Sequence, residues 1–125
     1  MPSQAELKRL RALQQKRDRE QSGRFLVQGR KVVSELLLSR YGVEQIVATE
    51  EAAAFIAPLA ERRRTPVHVL PPAELDRIGT FEKGNELIAV AIQPAPLAFR
   101  AAQPGELILA LDGVRDPRNM GSLYR

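Results

Sequence analysis

Four short apolar runs are separated by stretches whose apolar residues repeat at helical spacing, and this alternation fills the first 92 residues. Phe25-Leu26-Val27 lies between Gly23 and Gly29. Val43 to Ala48 carries Val43, Ile46 and Val47. Val67, Val69 and Leu70 follow, and Leu87 to Ile92 is apolar throughout. Runs this short suit strands, whereas Val32, Val33, Leu36 and Leu37 have the spacing of a helix face. Repeated strand and helix alternation predicts a mixed or parallel sheet with helices on its faces.

The helix boundaries are marked by local chemistry. Ser3-Gln4-Ala5-Glu6 is a capping box, in which the Ser3 hydroxyl accepts from the Glu6 N–H. Leu7, Leu10 and Leu13 then share one face, and Lys8, Arg9, Arg11, Lys16, Arg17 and Arg19 cover much of the rest. The expectation is one basic amphipathic helix ending before Ser22-Gly23. A second helix follows Gly29 directly. Thr49 caps a third, with Glu50 and Glu51 placed favourably in its first turn. Pro72 suits the first turn of a short fourth helix. Glu82-Lys83-Gly84-Asn85 reads as a turn before the last of the four strands.

Charge is unevenly placed along the 125 residues. The net charge is +4, but residues 1–40 hold 10 Lys/Arg against 4 Asp/Glu, whereas residues 41–125 hold 9 against 11. A localised positive surface attracts a polyanion such as nucleic acid. The absence of cysteine excludes disulfides, thiolate metal sites and a thiol nucleophile, and the single His68 cannot supply a zinc cluster. No metal is expected, and His68 is expected on the solvent face of its strand. Arg62-Arg63-Arg64 reads as a solvated helix end, and Phe25 and Phe55 read as core. No apolar run approaches the roughly 20 residues needed to span a bilayer, and MPSQAELKRL lacks a signal-peptide core. A soluble, cytoplasmic protein with no membrane partner is the expectation.

Residues 93–105, QPAPLAFRAAQPG, contain three prolines and a closing glycine without helical or strand period. They read as a semi-rigid linker between a domain at 1–92 and a second segment at 106–125. Glu106 to Asp112 is then a nearly continuous apolar run of the kind found in a strand covered on both faces. Asp112-Gly113 closes it, Asp116 can cap the next helix, Pro117 suits its first position, and Gly121 permits close backbone approach. In α/β proteins such a strand-loop-helix places loop residues at the ligand-binding edge of the sheet.

The same stretch resembles the first motif of the SpoU/TrmH group of knotted RNA ribose methyltransferases, approximately D-G-x-x-D-P-x-N-x-G-x-x-x-R. Asp112, Gly113, Asp116, Pro117, Asn119, Gly121 and Arg125 all meet it. Lys16-Arg17, the Gly23 to Gly29 segment and Lys31 resemble the opening of that family, with Gln28 in place of its usual Glu. Leu75, Ile78, Asn85, Ala89 and Val90 resemble the end of its substrate-binding domain.

The resemblance implies an α/β fold: a three-layer α/β/α sandwich like ribosomal-protein RNA-binding domains, then a linker and the first strand of a truncated knotted methyltransferase domain. It implies a ribose 2′-O-methyltransferase that uses S-adenosylmethionine on structured RNA, either ribosomal or transfer RNA, and is a homodimer when intact. Asn119 and Arg125 would be catalytic, the first orienting by hydrogen bonds, the second steadying a phosphate or alkoxide. Lys16, Arg17, Arg24, Arg30, Lys31, Lys83 and Asn85 are the candidate RNA contacts. The glycine-rich and knot-forming motifs that hold the cofactor do not occur here, so these 125 residues are expected to bind RNA without cofactor or turnover. The alternative is a non-enzymatic RNA-binding module of the ribosomal-protein type.

Overall fold

Leu87–Ile92 cannot leave either face in water, because every residue in it carries an apolar side chain, and Val43–Ala48 ends on three more, Ile46, Val47 and Ala48. The computed structural model, which describes residues 2–124, satisfies this by pairing them at the centre of a four-stranded sheet. The chain divides into two units, Met1–Ala95 and Pro96–Arg125. In the first, the elements are α1 (Gln4–Ala12), α2 (Lys16–Ser22), β1 (Arg24–Gln28), α3 (Arg30–Leu38), β2 (Val43–Ala48), α4 (Glu50–Arg63), β3 (Val67–Val69), α5 (Pro72–Ile78) and β4 (Leu87–Ile92).

The strand order is β1-β4-β2-β3. β2 and β3 are parallel, with α4 crossing between them, and β4 runs antiparallel to both β1 and β2. The sheet is therefore mixed. Successive side chains point to opposite faces, so each central strand feeds two cores. Ile46, Ala48, Leu87, Ala89 and Ala91 pack with Val33, Leu36 and Leu37 of α3 and Ala52, Ile56 and Ala60 of α4. Val47, Ile88 and Val90 pack with Leu7 and Leu10 of α1, Leu75 and Ile78 of α5, and Leu13 and Leu70. The result is a three-layer α/β/α sandwich, the architecture that the resemblance implies.

The register of β2 against β4 shifts between Val43 and Gln45. Glu44 is the extra residue of this bulge, and bulges re-aim the side chain they leave out. Its carboxylate receives two guanidinium groups: Arg9 at 3.1 Å and Arg24 at 3.2 Å. Next to it Gln45 is buried, and its amide donates to Glu6 Oε1 at 2.6 Å. Glu6 also pairs with Arg9 at 2.7 Å. These contacts fasten α1 across the sheet.

Four expectations are corrected. The predicted single N-terminal helix is two helices, because α1 ends at Leu13 and side chains take up the carbonyls it frees. Arg19 donates to the carbonyls of Leu13 and Gln14 at 3.0 and 2.7 Å. His68 is half-buried rather than solvent-facing. Arg63 is a cap rather than a solvated charge, since its guanidinium donates to the carbonyls of Leu37, Ser39 and Tyr41 at the end of α3. Finally, Glu106 to Asp112 forms no strand: a ladder needs a partner, and among the described residues none pairs with it.

In the second unit, α6 (Pro117–Tyr124) begins where Asp116 Oδ1 accepts from Arg118 N at 2.8 Å, with Pro117 at its first position. Arg100 and Glu106 form an ion pair at 2.7 Å. Leu107, Ile108 and Leu109 are exposed.

Leu10→Ala or Ile88→Ala should each lower stability by about 2–5 kcal/mol in urea titrations, as expected for fully buried side chains. Arg9, then Gln45, holds the Glu6 carboxyl below its ordinary range. Stability from that depressed value is complete above the ordinary carboxylate range and is lost as pH falls through the native value. The Glu6→Gln variant should therefore show a flatter loss of denaturation midpoint than the parent below about pH 4.

Candidate nucleic-acid interface

Between α5 and β4 the chain makes an irregular loop, Gly79 to Glu86, that is held at several points. Asn85 is buried, and its amide nitrogen donates to Asp76 Oδ1 at 3.0 Å and to the Phe81 carbonyl at 2.9 Å. Its Oδ1 accepts from Phe81 N at 3.1 Å. The sequence places Asn85 among the RNA contacts, and the structure engages both of its amide hydrogens internally, one on Asp76 of α5 and one on the loop itself. Its role is to fix the loop. Gly79 is required beneath it, since a Cβ there would lie 2.0 Å from Asn85 Oδ1.

Two glutamines clamp the same loop from outside. The Gln28 amide donates to Thr80 Oγ1 at 2.6 Å and accepts from Thr80 N at 3.1 Å. The position that departs from the SpoU pattern thus makes an uncharged two-point clasp. Gln14 donates to the carbonyls of Arg77, Ile78 and Gly79 at 2.8–3.0 Å, taking up the free end of α5. None of these clasps has a sequence motif. They depend on partners about 50 to 65 residues apart.

The clamps place several candidate cations next to residues that hold the loop. Lys16 and Arg17 open α2 just after Gln14, so they lie at the Gly79 end of the loop. Lys31 lies in the first turn of α3, next to Arg30, whose guanidinium meets Glu86 at the other end. Lys83 occupies the tip beside Gly84, which has a φ of 79°. Lys16, Arg17, Lys31 and Lys83 are exposed, and the nearest carboxylate among the described residues is Glu20, 3.7 Å from Lys16. Phe81, half exposed in the same loop, went unnoticed in the sequence. An aromatic in a polar turn segment was the available signal.

The other two candidates are tied to acids. Arg24 lies at the opposite end of β1, held by Glu44. Arg30 pairs with Glu86 at 2.7 Å and Glu51 at 3.2 Å, and its guanidinium carbon stands 5.0 Å from the centre of the Phe55 ring. Glu86 first, then Glu51, holds its pKa above the ordinary arginine value. Phe55, expected in the core, is half exposed under this cation.

In the second unit, Asn119 is exposed early in α6 and lines an open cavity with Gly113, Val114, Arg115, Ser122 and Leu123. Arg125 lies outside the described residues. Among those described, no group of His, Cys, Asp or Glu is arranged to hold a metal ion, and no helix is long and apolar enough to cross a membrane.

Residues 4–89 match the family described as the MRM3-like substrate binding domain. The chain belongs to that family. The matched span includes both sheet faces, the loop and its clamps, so the MRM3-like domain is the unit that carries the cation cluster. Its solved relatives are SpoU and TrmH methyltransferases. A TrmH-family protein from Porphyromonas gingivalis, described as an RNA methyltransferase, is 31% identical over 100% of this chain and 47% of its own, with a TM-score of 0.71. An RNA 2′-O ribose methyltransferase is 25% identical over 96% of this chain and 47% of its own, with a TM-score of 0.66. The SpoU methyltransferase AviRb from Streptomyces viridochromogenes, solved with AdoMet, shares the fold at 24% identity, 74% and 37% coverage and a TM-score of 0.64. The chain spans less than half the length of these structures. No curated protein matches it.

Gly79→Ala should lower the stability of the MRM3-like domain by about 1–3 kcal/mol, because its Cβ must displace the Asn85 side chain. Urea denaturation measures the loss, and accelerated proteolysis between Thr80 and Glu86 should accompany it.

Proposed function

We propose that this chain is the RNA-binding part of an S-adenosylmethionine-dependent ribose 2′-O-methyltransferase acting on ribosomal or transfer RNA. The observation that carries this reading is the family match over residues 4–89, followed in the same chain by the seven-position array from Asp112 to Arg125. The AdoMet and 2′-O ribose named for solved relatives support the cofactor and the position of transfer. The exposed cations Lys16, Arg17, Lys31 and Lys83 supply the electrostatic footprint that an RNA backbone requires.

In the transfer itself, the ribose 2′-hydroxyl must be oriented and the charge developing on its oxygen stabilised. Asn119 has the donors and acceptor to orient it, and Arg125 is a permanent cation suited to a phosphate or alkoxide. S-adenosylmethionine supplies an electrophilic methyl group when bound. No contact to it is assigned to this chain.

RNA binding by the 125-residue chain should weaken steeply with salt, and Lys16→Glu with Arg17→Glu should reduce affinity at least tenfold while flattening the slope. Affinity insensitive to salt would overturn the phosphate-contact reading. In an enzyme with a complete methyltransferase unit, Asn119→Ala and Arg125→Ala should lose methyl transfer while retaining RNA affinity. Equal loss of both would make these residues RNA anchors instead. Calorimetric titration of the 125-residue chain with S-adenosylmethionine should show no binding.

A further inference from the structure

We infer that the Gly79 to Glu86 loop is a stacking platform for an unpaired nucleobase, with Phe81 under the base and Lys83, Lys31, Lys16 and Arg17 along the flanking phosphates. This rests on the RNA-binding reading above and goes further, because it names the kind of RNA structure the domain selects.

The ring of Phe81 is half exposed although the domain has two well-filled cores within reach of the same chain. Its backbone explains why it does not turn inward. Both the N–H and the carbonyl of Phe81 are held by the one buried amide of Asn85, at 3.1 and 2.9 Å. Thr80, just before it, is clasped twice by Gln28. Phe81 is thus presented outward by a backbone with few alternatives, the condition under which an aromatic face gives a base a ready surface.

The surrounding charges distinguish this surface from an ordinary apolar patch. The arginine that borders it is neutralised, Arg30 by Glu86 and Glu51. The lysines nearest the platform have no such partner among the described residues. Lys83 is two residues from Phe81, and Lys31 follows the Arg30 that meets Glu86 at the loop's end. Glu82 is the acid at the tip and opposes a phosphate there. A base face on an aromatic ring with phosphates on flanking cations is the general mode of single-strand recognition. A paired base in a duplex hides both of its faces in the stack and cannot use the ring.

The test compares a single-stranded oligoribonucleotide carrying 2-aminopurine with the same sequence annealed to its complement, each titrated with the 125-residue chain. Binding of the single strand should quench 2-aminopurine, and Phe81→Ala should weaken that binding about tenfold and abolish the quench. Phe81→Trp should restore both. The salt slope should be unchanged in Phe81→Ala and shallower in Lys83→Ala, since only the latter removes a phosphate contact. Glu82→Gln should tighten binding. Salt-dependent RNA binding that Phe81→Ala leaves intact would overturn the platform and spare the RNA-binding reading. An equal loss for single strand and duplex, or a loss that Phe81→Trp does not restore, would overturn it as well. Failure of the parent chain to bind either RNA would overturn both.

Discussion

The rest of the domain depends on burying both faces of β4. Its six residues are all apolar, it has a strand on either side, and its alternate side chains enter separate cores. Removing either helical layer would expose half of its side chains, at roughly 1.5–3 kcal/mol for each large one. The three-layer arrangement follows from that constraint. So does the placement of the loop, which must deliver the chain from the end of α5 into the middle of the sheet rather than to an edge.

Much of this was legible in the sequence because it is local or periodic. The apolar runs correspond to β1 to β4, Ser3 and Thr49 cap their helices, and Pro72 opens α5. What escaped was decided by distant partners. The break after Leu13 needs Arg19 to satisfy freed carbonyls, and Arg63 finds its acceptors on a different helix. Glu106 to Asp112 has the composition of a strand, but composition supplies no partner. Asn85 and Lys83 looked alike as polar turn residues. Only the structure separates the buried fastener from the exposed charge.

The cation cluster shows the same division between types of side chain. The guanidinium groups of Arg9, Arg24 and Arg30 each engage carboxylates from other elements, a task suited to a planar, multiply donating cation. The lysines beside the loop remain in water. Net charge along the chain does not reveal that these arginines serve as internal ties. Neutralised arginines leave a positive surface narrower than the sequence implies, concentrated at one end of β1.

Asn85 also links two quantities usually treated apart. An irregular loop left loose would lose conformational freedom on meeting a partner, at about 1–2 kcal/mol for each residue ordered. Here the Asn85 amide, the Gln28 clasp and the tight fit over Gly79 remove that freedom when the domain folds. Folding stability and affinity thus share one entropy term. A substitution buried under the loop can change recognition without altering a single contact surface.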